Sequence, residues 1–160
     1  MKQLLINGSI LFLLALTSIA CNEKVSCPDC DLQPELFQLR ITDSQSSVDL
    51  IYSGHFHADS ITIFFMGNGQ KNYIEIEIDT DSLHSKAVIK SHEMSRKSEE
   101  GYKDYYLYLN YLDTDTIFFD AEKTPNDCCP FYSLDDFRIN NVVMEIDTSA
   151  NVFNFIKQID

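Results

Sequence analysis

Cysteines carry the most reactive side chains in this sequence, and their spacing allows several kinds of chemistry. The C-x-x-C spacing of Cys27 and Cys30 is shared by thiol redox sites and by half of a zinc site. Redox sites of this type accompany a βαβ pattern, whereas here the pair lies in a short polar segment followed by Pro34. The remaining cysteines are Cys21, Cys128 and Cys129.

We expect structural disulfides that join Cys27 and Cys30 to Cys128 and Cys129. If Cys21 carries lipid, four thiols remain, an even number that suits an oxidising compartment. A bond between the adjacent Cys128 and Cys129 would be strained, which favours two long bridges. Each would close a loop of about 100 residues, worth up to about 4.7 kcal/mol in the chain-entropy model. A zinc site, thiol redox chemistry and free thiols stay open as alternatives.

Histidines and aspartates also offer metal ligands. His55 and His57 would share one face of an extended segment and could bind zinc or copper, with Asp59 as a third ligand. The simpler interpretation is a polar turn after Gly54, so no metal is predicted. Calcium needs several oxygen ligands, but the aspartate pairs do not match EF-hand spacing, and aspartate is common in turns. These aspartates are Asp79, Asp81, Asp113 and Asp115.

Familiar catalytic motifs are absent from the sequence. There is no G-x-S-x-G and no P-loop, and His92 begins an H-E-x-x-R stretch where a zinc protease needs a second histidine. A carboxylate pair drawn from Glu75, Glu77 and Asp104 could hydrolyse a glycosidic bond if the two groups were correctly spaced. An enzyme is therefore the alternative hypothesis, and we predict neither a catalytic residue nor a cofactor.

Aromatic residues provide the most suggestive candidate surface. Tyr106 and Tyr108 alternate with apolar residues in the stretch 104–112, and Phe118 follows across a predicted hairpin. A flat strip of such rings can stack on a sugar or mark a protein interface. The absence of tryptophan weakens the sugar interpretation. The alternative is that both faces of the strand are covered and the tyrosines belong to the core.

The first 20 residues predict a secretory signal. Lys2 is the only charge before the apolar run 10–16, which is shorter than the roughly 20 residues of a membrane span. The stretch 18–21 (SIAC) resembles the lipobox of bacterial lipoproteins, although Ser18 stands where leucine is usual. We expect acylation of Cys21, for example with palmitate, and an outer-membrane location facing the periplasm or the cell surface. Simple secretion is the alternative.

Residues 21–35 are predicted to form a tether, and residues 36–160 a single domain. Removing residues 1–20 leaves 11 basic against 25 acidic residues, a net charge of −14. Such a chain repels nucleic acid and anionic headgroups, so nucleic acid is excluded as a partner and the membrane is reached through the lipid. Abundant Phe, Tyr, Ile and Leu allow a real core.

Apolar residues alternate with period two along most of the domain, which predicts an all-β fold. The runs 61–66 and 74–78 flank Asn68-Gly69, a strong hairpin signal. A further strand is expected at 137–146, and an exposed charged loop at 91–103. Seven to nine short strands indicate an antiparallel β-sandwich, immunoglobulin-like or transthyretin-like.

The late third of the chain resembles small, uncharacterised lipoproteins of Bacteroidota. The resemblance rests on the leader, the early cysteines, the D-T-D-T turn at 113–116, the adjacent cysteines and the N-N-V-V stretch at 140–143. It implies no activity. The first hypothesis is therefore a non-catalytic envelope lipoprotein that binds a partner protein or glycan. A carboxylate hydrolase and a thiol redox protein using Cys27 and Cys30 are the alternatives.

Overall fold

The computed structural model describes residues 36–124 and 131–159. These residues form eleven strands, a short helix α1 (Glu93–Glu99) and a 3-10 turn (Ala58–Ser60). The strands are β1 (Phe37–Asp43), β2 (Thr62–Gly67), β3 (Gln70–Ile74), β4 (Glu77–Asp81), β5 (Lys86–Ser91), β6 (Asp104–Asn110), β7 (Asp113–Thr124), β8 (Phe131–Ile139), β9 (Val142–Val143), β10 (Ile146–Asp147) and β11 (Val152–Lys157).

The strands form two sheets in a sandwich-like arrangement, so the expected β-rich fold is confirmed at this level. One sheet has five strands in the order β10-β11-β1-β5-β4, and the other has six in the order β3-β2-β6-β7-β8-β9. The six-stranded sheet is antiparallel. The five-stranded sheet is mixed rather than antiparallel, because β1 pairs with β11 in parallel. The described residues also hold more strands than expected, of which β9 and β10 have two residues each.

The core lies between the sheets and follows the period-two pattern. Phe37, Leu39 and Ile41 of β1 are fully buried. The ring of Phe37 packs edge-on against Phe119 and Phe137, with both centroid distances 5.7 Å. These contacts join β1 of one sheet to β7 and β8 of the other.

The predicted Asn-Gly hairpin is confirmed. Asn68 and Gly69 both have positive φ angles, 54° and 76°, and Gly67 pairs with Gln70 across the turn. Two consecutive positive φ angles match the twist of a two-residue hairpin, which explains the Asn-Gly sequence. The run 74–78 is not one strand, however. Ile74 ends β3 in one sheet and Glu77 begins β4 in the other, so the chain changes sheets there.

The expected loop at 91–103 instead contains helix α1. Met94, Ser95 and Ser98 are its buried residues, and the charged residues between them leave only a narrow inward face. Two of the three inward residues are serines, so the helical period of apolar residues is too weak to predict a helix.

The single strand expected at 137–146 is also wrong. Strand β8 ends at Ile139, and Asn140 and Asn141 follow with φ angles of 52° and 65°. Asparagine tolerates this left-handed conformation, so the chain turns and continues as the short strands β9 and β10.

Candidate functional site

Five aromatic side chains lie together on the outer face of the six-stranded sheet. Strand alternation places them there. Ile63 and Phe65 of β2 point into the core, so Phe64 between them points outward. Register then places its partners on the same side. We call the set the aromatic face; its members are Phe64, Tyr73, Tyr106, Tyr108 and Phe118.

Three rings of the aromatic face, those of Phe64, Tyr73 and Tyr106, pack together across strands. Phe64 pairs with Tyr73 on β3 and with Tyr106 on β6. The rings of Phe64 and Tyr106 are stacked at 5.1 Å, and Phe64 lies 5.9 Å from Tyr73. Tyr73 is 63% exposed, Tyr106, Tyr108 and Phe118 are half-buried, and Phe64 in the middle is buried beneath its neighbours. The aromatic face is therefore a packed layer with one surface open.

The structure thus brings the three predicted residues Tyr106, Tyr108 and Phe118 onto one partly exposed face. The interpretation of these tyrosines as ordinary core does not hold for Tyr106 and Tyr108, because they point away from the core. Sequence reasoning missed Phe64 and Tyr73. The Asn-Gly turn held the signal, since a two-residue turn that pairs Gly67 with Gln70 also pairs Phe64 with Tyr73.

Two cations cover rings at opposite sides of the aromatic face. Lys71 Nζ lies 4.4 Å from the ring centroid of Phe64, and Arg138 Cζ lies 4.4 Å from that of Phe118. Arg138 also forms an ion pair of 2.6 Å with Asp136. Its Nε is buried and has no hydrogen-bond partner in the part of the chain that the structure describes. The face therefore combines aromatic surface with a guanidinium that is only partly satisfied.

The D-T-D-T turn holds a lysine between its aspartates. Lys157 Nζ lies 2.7 Å from Asp113 Oδ1 and 2.7 Å from Asp115 Oδ2. Asn140 donates a further hydrogen bond of 2.7 Å to Asp115 Oδ1. Burial acts to lower the pKa of Lys157, but the hydrogen bonds from its ammonium to the two carboxylates outweigh burial and raise it. The Lys157 ammonium thus occupies the position between the two carboxylates where a calcium ion would have to bind.

The other aspartate pair makes separate local contacts. Asp79 accepts a hydrogen bond of 3.0 Å from Lys90, and Asp81 accepts one from His84 Nδ1. The hydrogen bond from His84 lowers the pKa of Asp81. Within residues 36–124 and 131–159, no group of three or more His, Cys, Asp or Glu side chains is arranged to hold a metal.

The two histidines of the H-x-H motif are exposed on either side of buried Phe56. The His55 ring contacts the Phe56 ring edge-on at 4.8 Å. The carbonyl of His57 accepts hydrogen bonds from the amide and hydroxyl of Ser60. These bonds close the 3-10 turn Ala58–Ser60, which includes Asp59. The motif thus stands at a turn, as the simpler interpretation expects.

The candidate carboxylates are divided between the two sheets. Glu75 and Glu77 line a shallow cavity of about 230 Å³ together with Glu93, whose carboxylate accepts a hydrogen bond of 2.8 Å from the Glu75 amide. Asp104 instead lies opposite Phe118 on the outer face of the six-stranded sheet. The three carboxylates therefore do not form one site.

The candidate lipidation residue Cys21 and the candidate disulfide residues Cys27, Cys30, Cys128 and Cys129 lie outside the described residues. None of the helices in the described ranges has the length and apolar character needed to cross a membrane.

Comparisons with known proteins return no similarity: no family model, no curated protein and no solved structure matches the chain. Fold and site together define a sandwich-like β protein with an aromatic outer face.

Proposed function

We propose that this protein is a non-catalytic, lipid-anchored protein of the cell envelope whose β-sandwich binds a partner protein through the aromatic face. The aromatic face itself is the observation that carries the proposal. Tyrosine, phenylalanine and arginine are enriched at protein interfaces, and a partly exposed cluster of them on the outer face of a sheet favours a contact surface. Met66, which is 48% exposed and follows Phe65 on β2, extends the same face.

A glycan is the second candidate partner. Stacking on a sugar needs an open ring face. The ring of Phe64 is instead covered by Tyr106 and Lys71, and that of Phe118 by Arg138. This arrangement favours a protein over a glycan, because a protein partner can use ring edges, hydroxyls and the guanidinium as well.

Photo-crosslinking tests the role of the aromatic face. A photoreactive phenylalanine analogue at position 73, in the full chain expressed in cells, should yield a defined covalent adduct, because Tyr73 is exposed beside Phe64. The matched control places the analogue at Leu83, an exposed apolar residue in the β4–β5 turn. Identical adducts from positions 73 and 83, or none from position 73, would contradict the proposal.

The chemistry of the adduct separates the two candidate partners. An adduct that protease digests into peptides of a second protein supports a protein partner, and one that yields carbohydrate supports the glycan. Combined replacement of Tyr106 and Tyr108 by serine should abolish the adduct at position 73. An unchanged adduct would place the contact elsewhere.

The membrane anchor is part of the same proposal. The stretch 18–21 supports cleavage before Cys21 and its acylation, and an anchor of two or more acyl chains holds stably where one is marginal. The resemblance to Bacteroidota lipoproteins supports an outer-membrane location. Cys21→Ala should move the protein from the membrane to the soluble fraction, while Ser18→Leu, which restores the usual lipobox residue, should leave it membrane-bound. Unchanged fractionation of Cys21→Ala would refute the anchor.

Structural disulfides from Cys27 and Cys30 to Cys128 and Cys129 are likewise proposed. Support comes from the strands β7 and β8, which flank residues 125–130 and pack against the start of β1 through Phe37. Mass spectrometry of the unreduced protein should find both bridges. Free thiols at positions 128 and 129 would oppose this pairing and reopen the redox alternative.

The finer type of sandwich, immunoglobulin-like or transthyretin-like, is also proposed. The chain passes four times between the two sheets, before β2, β4, β6 and β10. Repeated crossing of this kind is typical of sandwiches with Greek-key connections.

A further inference from the structure

A long groove crosses the outer face of the five-stranded sheet. It consists of two open cavities of about 500 and 570 Å³, which share Arg40, Asn154 and Ile156 on the adjacent strands β1 and β11. We call it the Arg40 groove. It runs from the five-stranded sheet to the edge of the six-stranded sheet, where Ile139, Val142 and Val143 line it, and no residue of the aromatic face lines either cavity.

Exposed apolar side chains are concentrated around the Arg40 groove. Eleven large hydrophobic residues of the described ranges are exposed, and six of them line this groove. They stand on both flanks and in the middle: Val48, Tyr52, Val142, Val143, Ile146 and Ile156. Scattered exposed apolar residues are ordinary, but a cluster along one concavity marks a binding surface.

Arg40 provides a cation at the centre of the groove. Its side chain is only 11% exposed, yet its contacts are long: 3.4 Å from Nε to Asn154 Oδ1 and 3.8 Å from an Nη to Asp147 Oδ2. A charge-assisted bond between guanidinium and carboxylate is about 2.7–2.9 Å long, and a guanidinium has five N–H donors. Arg40 therefore keeps capacity for a closer carboxylate.

The backbone beside the groove is open to another strand. Strand β10 pairs with β11 only at Val152 and Phe153. Beyond Phe153 the outer edge of β11, up to Lys157, has no neighbouring strand among the described residues, while its other edge pairs with β1. Asn154, Phe155 and Ile156 line the larger cavity, so the open edge faces free space.

We infer that the Arg40 groove binds an extended peptide of a partner protein, which adds as a strand to β11 and places a carboxylate against Arg40. Main-chain hydrogen bonds to the open edge give such a complex its affinity, and side-chain contacts give it specificity. The apolar flanks fit the neighbouring side chains of the peptide, and Arg40 fixes its register. A sugar has no backbone with which to extend the sheet, so the open edge favours a peptide.

Selection from a peptide library tests this inference. The probe is a library of random octapeptides with one central glutamate, selected against the full chain in detergent. Recovered peptides should carry apolar residues around the glutamate, and fluorescence anisotropy should show that Arg40→Met weakens their binding at least tenfold. Changing the peptide glutamate to glutamine should weaken binding to the wild type tenfold and to Arg40→Met much less.

Two further variants keep the test independent of folding defects. Ile156→Asp alters a side chain that is 62% exposed and should also weaken binding tenfold, because it adds a negative charge and removes apolar surface. Arg96→Met, which removes an exposed arginine of α1 that does not line the groove, should leave binding unchanged. Hydrogen exchange should slow at those alternate amides of 154–157 that point away from β1 when peptide is bound.

Three results would overturn the inference: no enrichment over a library with central glutamine, equal affinity of Arg40→Met and wild type, or unchanged exchange at 154–157. Sedimentation of the protein alone distinguishes a second copy as the occupant. A dimer that Ile156→Asp dissociates would show that the groove binds this chain itself.

Discussion

Lys157 joins the two sheets through a single ammonium group. It belongs to β11 of the five-stranded sheet, whereas Asp113 and Asp115 belong to β7 of the six-stranded sheet. The sequence alone identified the two aspartates as possible oxygen ligands of a cation. Their partner could not, because it lies more than 40 positions away and only the packing of the sheets brings it near.

Replacing Lys157 by methionine should cost about 3 kcal/mol of unfolding free energy. The change keeps much of the aliphatic side chain but leaves the nearly buried Asp115 carboxylate without its counter-charge, and breaking a buried pair is expensive. Urea denaturation measures the loss. Arg96→Met is the control, because its pair with Glu93 is exposed on the arginine side and should contribute less than about 1 kcal/mol. Equal losses for the two variants would contradict the role assigned to Lys157.

Stability should also fall in alkali, with Tyr105 as a main cause. Burial raises the pKa of Tyr105, and nearby carboxylates add to the effect. The unfolded chain therefore loses this proton first once the pH passes about 10. The contribution to stability is complete below about pH 10 and is lost as the pH rises further. The raised pKa of Lys157 acts in the same direction, since the folded state retains its proton longer.

Urea unfolding from about pH 8 to about pH 11.5 measures this alkaline loss. Tyr105→Phe should show a smaller loss, because the ionisable group is gone. At pH 8 the variant should be less stable by about 1–2 kcal/mol, since the hydroxyl no longer donates to the carbonyl of Tyr102 at 2.6 Å. Parallel pH profiles for variant and wild type would show that Tyr105 is not responsible.

At the scale of elements, helix α1 supplies hydrogen bonds to the backbone of β7 at an irregular point of that strand. The pairing of β7 with β8 shifts register between Asp120 and Ala121. Ser98 of α1 bonds to the backbone there: its hydroxyl accepts from the Ala121 amide at 2.8 Å and donates to the Ala121 carbonyl at 3.2 Å. A buried serine on a charged helix thus satisfies backbone groups beside a register shift.

Ser98→Ala should destabilise the protein by about 2 kcal/mol, because it leaves the buried amide and carbonyl of Ala121 without their partner. Thermal or urea unfolding measures the change. Ser82→Ala, at an exposed turn position, should have an effect below about 0.5 kcal/mol and serves as the control. A loss for Ser98→Ala no larger than that of Ser82→Ala would mean that water replaces the serine.

What could be predicted at this scale depended on whether the signal was local. The β2–β3 hairpin rests on two adjacent residues, Asn68 and Gly69, and period-two alternation identified β1 and β6 directly. Helix α1 was missed because its inward face is mostly serine. The parallel pairing of β1 with β11 was missed because it joins strands more than 100 positions apart, and no local pattern encodes strand direction.

At the scale of the whole molecule, the two outer faces differ in chemistry. The six-stranded sheet presents aromatic rings, and the five-stranded sheet presents Arg40 in a groove with apolar flanks. Alternation together with the predicted β6–β7 hairpin identified three of the five aromatic residues. The groove depends on β1, β10 and β11 of one sheet meeting β9 of the other, so no local pattern in the sequence indicated it.

The sheet edges differ as well. Edge strand β4 carries Glu77, Asp79 and Asp81, and negative charge on an edge discourages pairing with another chain. The opposite side of that sheet ends in the two-residue strand β10, so within residues 36–124 and 131–159 most of the outer edge of β11 has no strand beside it. Among the described residues, the β11 side of the five-stranded sheet is therefore more open to strand addition than the β4 side.

The parallel pairing of β1 and β11 has a mechanical consequence. Because the two strands run in the same direction, the start of β1 and the end of β11 lie at opposite ends of the pair, which holds five residue pairs. Tension applied between residues 36 and 159 would load these hydrogen bonds together, in shear, instead of opening them one at a time. Single-molecule pulling through those positions should therefore require a higher force than pulling apart the β2–β3 hairpin from its open end. The protein would therefore resist tension between residues 36 and 159 more strongly than tension that separates two strands one hydrogen bond at a time.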